Sequence, residues 1–147
     1  MNAEATVRQT IEDHLADWDK AYTEKDPYGY LGHCTPDDTG EQERVFLFYR
    51  QLMPLCDALE SSSIIQKFVL EGNQAKVTIQ VDQKMVMKKP ESSFPPFHKF
   101  VIGCMARFIF VSREIRQLIW VNTPEGWLCK ADDTVSNRVR LRRKPVV

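Results

Sequence analysis

The sequence has no long apolar run and no paired cysteine motif. Its longest apolar runs, such as residues 108–111, are far too short to cross a bilayer, so no membrane partner is expected. The start of the chain lacks a basic stretch followed by an apolar one, which predicts no signal peptide and a cytoplasmic location. No C-x-x-C pair or metal-ribbon spacing occurs, which favours reduced, mostly buried thiols at Cys34, Cys56, Cys104 and Cys129.

The chain also lacks net charge, because 20 lysines and arginines balance 20 aspartates and glutamates. The basic residues are nevertheless concentrated near one end, since residues 138–144 hold five positive charges and no acid. This segment is short and has no aromatic residues among its charges, unlike the broad basic patches of nucleic-acid-binding proteins. We therefore expect no nucleic-acid partner, and we expect the segment to be solvated or docked on a second subunit.

The first half of the sequence has helical periodicity. Apolar residues at spacings of three and four predict a helix over residues 5–25, which Asp26 and Pro27 should end. A second apolar stripe predicts another helix over residues 41–59, kinked or broken at Pro54. The length of 147 residues suits a single domain with one core.

The second half has strand-like periodicity. Strands are predicted over residues 64–71, 76–87, 100–111, 113–121 and 127–135. The segment 100–111 is apolar on both predicted faces, and a proline-rich loop is predicted over 88–97. Helices followed by consecutive hairpin strands predict an α+β fold. Residues 1–137 are predicted to form the domain, and residues 138–147 a basic tail or an extension of the last strand.

Several landmarks occur in an order that is similar to a known superfamily. Trp18 lies late in the first helix, the segment 30–38 reads YLGHCTPDD, a hairpin turn follows at 71–75, and the closing hairpin runs from Trp120 to Trp127. In this order they resemble the nuclear transport factor 2-like superfamily, which includes ketosteroid isomerase-like and SnoaL-like polyketide cyclase proteins. The resemblance covers roughly residues 5–136, although no single motif is diagnostic.

The resemblance implies a cone, in which N-terminal helices pack in the concave face of a curved antiparallel sheet and leave a pocket. It implies a protein that binds a small apolar organic ligand, with cofactor-independent isomerase, dehydratase or hydrolase chemistry as one option. The alternative is a non-catalytic dimeric interaction module or the small subunit of a larger enzyme. A homodimer through the outer sheet face is expected, because the two-sided apolar segment 100–111 would need a cover.

Acid–base chemistry in an apolar pocket needs a carboxylate whose surroundings move its pKa towards neutrality. Asp38 is the predicted base, because the isomerase-like relatives place a pocket carboxylate after the first helical region. Tyr22 or Tyr30 is the predicted hydrogen-bond donor. The alternative is that Asp37 and Asp38 only cap a short helix. Segment 100–111 contains no acid to act as a protonated partner, which argues against steroid-isomerase chemistry.

Six further side chains are predicted to contact a ligand: Trp18, His33, Gln83, His98, Arg107 and Trp120. Arg107 interrupts an apolar run, so it should either pair with a carboxylate or present its guanidinium to an anion. Gln83 lies on the apolar face of its strand. The two tryptophans have core packing as the alternative. Three widely spaced histidines predict no metal site, and no cofactor is expected.

Overall fold

The computed structural model describes residues 2–35, 39–51, 53–89 and 95–144. Three helices come first: α1 (Ala3–Glu24), α2 (Pro27–Leu31) and α3 (Thr39–Gln51), followed by a 3₁₀ turn at Met53–Leu55. The strands are β1 (Cys56–Glu71), β2 (Gln74–Met87), β3 (Phe108–Thr123) and β4 (Gly126–Arg143), and helix α4 (Pro96–Met105) lies between β2 and β3. None of the described helices is long and apolar enough to span a membrane.

Capping residues account for both ends of helix α1. The Asn2 side chain accepts a hydrogen bond from the Ala5 amide at 2.7 Å, which satisfies one of the first unpaired N–H groups. Lys25 adopts a left-handed conformation (φ 59°) directly after the helix, and Asp26 then caps α2. The predicted first helix is confirmed, with Ile11 and Leu15 buried on one face.

The sheet is antiparallel throughout, with strand order β1-β2-β3-β4. Alternate residues of β2 (Val77, Ile79 and Val81) are almost completely buried and face α1. Each such side chain contributes roughly 1.5–3 kcal/mol by leaving water. The N-terminal helices therefore lie in the concave face of a curved antiparallel sheet, and the predicted α+β architecture is confirmed.

The core divides into two clusters along the sheet. One lies under α1, around Ile11, Trp18 and Trp120. The other lies under α3 and the start of β1, around Tyr49 and Met53. The surface between the two clusters is where a cavity opens.

The predicted second helix is too long. Helix α3 ends at Gln51, and residues 56–59 form the start of β1 instead of the last helical turn. Pro54 explains the change, because proline has no N–H to continue a helix and occupies the 3₁₀ turn here. Cys56 and Leu59 are buried, as predicted for an apolar stripe, but they are buried as strand residues.

The predicted strand over residues 100–111 is also wrong. Residues 96–105 form α4, and β3 begins only at Phe108. An apolar run with no alternation fits a short helix as well as a buried strand, and a proline in the first turn favours the helix. Phe97 and Phe100 are 74% and 71% exposed, so this segment is not a sheet face awaiting a cover. The homodimer stays a prediction, but the two-sided apolar strand that was the reason for expecting it does not form.

Candidate active site

A cavity of about 310 Å³ opens between the helices and the concave face of the sheet. All four strands and the helices α1, α2 and α3 contribute to its wall. Its aromatic and aliphatic lining consists of Trp18, Tyr22, Tyr30, Val45, Phe48, Tyr49, Ile79 and Val81. Its polar lining consists of Asp19, Ser61, Ser63, Gln83, Glu114, Arg116, Asp132 and Thr134.

The aromatic wall is built around Trp18. The Trp18 ring stacks on the Tyr30 ring, with centroids 5.1 Å apart and an interplanar angle of 13°. Its indole N–H donates to the Tyr30 carbonyl oxygen at 2.9 Å. Trp120 lies behind it, with ring centroids 5.5 Å apart and no exposed surface. These contacts hold Trp18 in one orientation, so the wall is formed before any ligand arrives.

An ion-pair cluster forms one side of the cavity. Arg116 Nε donates to Glu114 Oε2 at 2.7 Å, and Arg116 Nη1 donates to Asp132 Oδ2 at 3.3 Å. The three side chains are only 15–18% exposed. Burial opposes the charged form of Arg116, but Asp132, Tyr30 and Glu114 together raise its pKa. Arg116 is therefore cationic at every relevant pH, and its charge is more than matched by its two carboxylate partners.

A second polar group lies where α1 crosses β1. Ser61 Oγ and Ser63 Oγ donate to the same oxygen of Asp19, Oδ1, at 2.6 and 2.9 Å. Gln83 lies opposite Ser61 in the β1–β2 register, and its Nε2 is 3.5 Å from Ser61 Oγ. Among the described residues nothing bonds the other carboxylate oxygen, Oδ2. Asp19 is thus a carboxylate held in place by two serines in the lining of the cavity.

Two tyrosines supply hydroxyl groups to the cavity. Tyr49 is 8% exposed, and its hydroxyl has no hydrogen-bond partner within the part of the chain that the structure describes. Burial raises the pKa of Tyr49 to about 12, with a smaller contribution from Asp26. Burial likewise raises the pKa of Tyr22. Both hydroxyls are therefore protonated at neutral pH, and each can donate a hydrogen bond.

The structure brings together four of the predicted site residues. Tyr22, Tyr30, Trp18 and Gln83 all line the cavity. Trp120 lies in the core behind Trp18 and does not reach the cavity surface.

Other predicted residues lie elsewhere. His33 contacts Trp18 edge-on beside the cavity, with ring centroids 6.4 Å apart. Arg107 is exposed in the turn after α4. The prediction that it lies within an apolar strand is therefore wrong. His98 falls in α4, but its side chain lies outside the described part of the structure. Asp38, the predicted base, also lies outside the described residues.

Sequence reasoning missed the charged residues of the cavity. Glu114 and Arg116 have the same parity in β3 as the buried Leu118 and Trp120, so strict alternation places both on the core face. That pattern was available in the sequence. Asp132 was not predictable in this way, because a register shift beside Trp120 changes which β4 residues face the core.

A pair of histidines lies beside the cavity. The Nδ1 atoms of His14 and His33 are within hydrogen-bond distance, so one ring donates a proton that the other accepts. Burial lowers the pKa of both rings below their ordinary value of 6.5. His14 lowers the pKa of His33 further, whereas Asp17 opposes the shift at both rings. The pair is therefore neutral in the folded protein at neutral pH.

This pair predicts a loss of stability in mild acid. Because both folded pKa values lie below the unfolded value, the unfolded chain binds more protons, and stability is full above that value and falls as the pH drops. We expect the double variant His14→Gln/His33→Gln to lose less stability than the native chain between about pH 7.5 and about pH 5.5. Urea unfolding at both pH values measures this. An identical decline in both proteins would contradict the assignment.

No protein-family model matches the sequence, and no curated protein matches it. Within the described residues, no group of three or more histidines, cysteines, aspartates or glutamates is placed to hold a metal ion. Unlike the family models and the curated proteins, several solved structures match nearly the whole chain. A nuclear transport factor 2-like superfamily protein from Salmonella enterica serovar Typhimurium gives a TM-score of 0.58 at 14% identity, covering 99% of this chain and 97% of that one.

Two further solved structures carry names of enzymes. A hexachlorocyclohexane dehydrochlorinase (LinA) gives a TM-score of 0.64 at 7% identity, covering 96% of this chain and 95% of that one. A proposed scytalone dehydratase from Novosphingobium aromaticivorans gives a TM-score of 0.65 at 11% identity, covering 94% of this chain and 91% of that one. Such low identities establish the fold and carry over no residue roles. This chain therefore has the nuclear transport factor 2-like fold that the resemblance predicted.

Proposed function

We propose that this protein binds a small organic molecule in the cavity and moves a proton on it without a cofactor, as an isomerase or dehydratase does. The observation that carries the proposal is the placement, in one aromatic cavity, of a fixed carboxylate and a buried tyrosine hydroxyl that has no partner among the described residues. Asp19 is the carboxylate, and Tyr49 is the tyrosine.

The size and lining of the cavity support small-molecule binding. Ligand pockets in proteins span roughly 300–1,000 Å³ and combine apolar walls with a few convergent polar groups. At about 310 Å³ this cavity suits a molecule of one ring with a short substituent. A buried hydroxyl without a partner costs free energy. The Tyr49 hydroxyl has no partner among the described residues, and a polar group on a ligand would supply one.

The chemistry follows from the groups present. Asp19 would accept a proton through Oδ2 while the two serines hold Oδ1 in place. Tyr49 or Tyr22 would donate a hydrogen bond to the oxygen on which negative charge develops. Tyr30 interacts with Arg116, which suits it to a positioning role. Dehydration and dehydrochlorination, named for two proteins of the same fold, both remove a proton together with a leaving group.

A pair of tryptophan variants tests binding in the cavity. Thr134 lines the cavity opposite Arg116 in the register, whereas its neighbour Asp133 points to the other face of β4. Both residues are exposed, so each should tolerate a tryptophan. We expect ligands found by a thermal-shift screen of small ketones, lactones, alcohols, amines and acids to be lost in Thr134→Trp and kept in Asp133→Trp.

The expected size of the signal is measurable. A ligand at 100 times its dissociation constant stabilises the folded state by about 2.7 kcal/mol, which corresponds to roughly 5–11 °C in Tm for a domain near this size. Hits that persist in Thr134→Trp would place binding outside the cavity. A screen without a single hit would argue for the alternative, an interaction module whose cavity serves no ligand.

A further inference from the structure

The charges around the cavity are unequal. Three carboxylates line it (Asp19, Glu114 and Asp132), and Arg116 is the one cationic residue among its described lining. With all four side chains ionised, the lining carries a net charge of two negative units. An anionic ligand would meet this excess in a partly desolvated site, where repulsion between like charges is stronger than in bulk water.

The cation of the cavity is already engaged by the protein. Glu114 and Asp132 accept hydrogen bonds from Nε and Nη1 of Arg116, and Tyr30 interacts with the same guanidinium. The two carboxylates therefore neutralise Arg116 twice over. A ligand carboxylate or phosphate would have to compete with two fixed anions for the same donors, which makes Arg116 a poor anion receptor.

The aromatic residues of the cavity wall favour a cationic ligand. Trp18, Tyr22, Tyr30, Phe48 and Tyr49 line the cavity, and the electron-rich face of an aromatic ring attracts a cation within about 6 Å of its centroid. The buried Tyr49 hydroxyl, which has no partner among the described residues, can accept a hydrogen bond from an N–H group. Acidic groups and aromatic faces thus favour the same kind of ligand.

We propose that the cavity selects an organic cation, a protonated amine attached to one ring or a similarly compact apolar body. This inference rests on the proposed function, because it names the ligand class of the same cavity. It adds what neither the fold nor the related structures specify, namely the sign of the ligand charge. The cluster formed by Glu114, Arg116 and Asp132, in which two carboxylates surround one cation, neutralises the ammonium group. The aromatic wall holds the apolar body, and Asp19 remains available as the base.

Three probes with nearly the same skeleton test the charge preference: 2-phenylethylammonium, 2-phenylethanol and 3-phenylpropanoate. Isothermal titration of the whole chain at pH 7 compares their affinities. We expect the ammonium to bind about tenfold tighter than the alcohol, a difference of about 1.4 kcal/mol, and the carboxylate to bind weakest. An alcohol as tight as the ammonium, or a carboxylate tighter than either, would overturn the inference and leave the proposed function standing.

Charge variants locate the preference within the cavity. Thr134→Lys adds a positive charge to the lining and should remove the advantage of the ammonium, whereas Asp133→Lys changes the protein's net charge more but lies on the other face of β4. Equal loss in both variants would show a general charge effect and overturn the inference. If none of the three probes binds while other compounds do, the inference is also wrong. If nothing binds in either experiment, the proposed function itself fails.

Discussion

Replacing Arg116 with methionine should destabilise the fold by about 3–5 kcal/mol, the usual cost of removing one partner from a buried ion pair. The change keeps most of the side-chain length and removes the guanidinium. Glu114 and Asp132, whose side chains are 15% and 18% exposed, would then face each other without the cation between them. Chemical denaturation at neutral pH gives the free energy of unfolding of both proteins.

The same strand offers a matched control. Arg113 pairs with Asp82 at 2.8 Å, but the two side chains are 62% and 37% exposed. Water screens this pair, so Arg113→Met should cost far less stability than Arg116→Met. The double variant Arg116→Met/Glu114→Gln should recover part of the stability lost in the single variant, because one unbalanced charge disappears. Equal costs at Arg113 and Arg116 would contradict the description of the cluster as buried.

Much of the fold follows from local periodicity. The α1 stripe and the alternation in β2 each span enough residues for one period to dominate, and both elements were predicted with correct type. The predicted secondary structure is wrong where the local pattern fits both a helix and a strand. Residues 56–59 continue a helical stripe across Pro54, and residues 96–105 are apolar without alternation, so tertiary contacts decide their structure.

The candidate site was predictable only in part. Trp18, Tyr22 and Tyr30 come from the first helices, whose orientation over the sheet follows from their apolar faces. All three line the cavity, and their roles there stay predictions. Arg116 is predictable from strand alternation, because it has the same parity in β3 as the buried Leu118 and Trp120. Arg107 was predicted only because it interrupts an apolar run. The position of Asp132 depends on a register shift in the β3–β4 pair, which arises from backbone geometry and leaves no periodic trace in the sequence.

The similar solved structures establish the fold and assign no residue roles. At 7–14% identity, similarity of fold does not carry a base or a hydrogen-bond donor from one cavity to another. The assignment of Asp19 therefore rests on its own contacts: two serine hydroxyls on Oδ1, and Oδ2 without a partner among the described residues. Those contacts also make the assignment testable, because they define a substitution that preserves geometry.

The Asp19→Asn variant should retain ligand binding and lose proton transfer. Asparagine keeps the shape of the side chain, and its carbonyl oxygen can still accept the hydrogen bonds from Ser61 and Ser63. A positioned general base contributes about 10²–10⁴-fold to the rate, so a loss of that size is expected. Exchange of the acidic C–H of each screening hit in D₂O, followed by NMR, measures proton transfer without knowledge of the natural substrate.

Asp13→Asn is the matched control for this experiment, because Asp13 lies on the same helix but is exposed and bonded only to Gln9 among the described residues. The rate at which Asp13→Asn exchanges the acidic C–H of each hit should equal the rate with the native chain. Unchanged exchange in Asp19→Asn, with ligand still bound, would remove Asp19 as the base and direct attention to Asp38. If bound hits show no exchange in the native chain, the proton-transfer part of the proposal is wrong, and the cavity is a binding site alone.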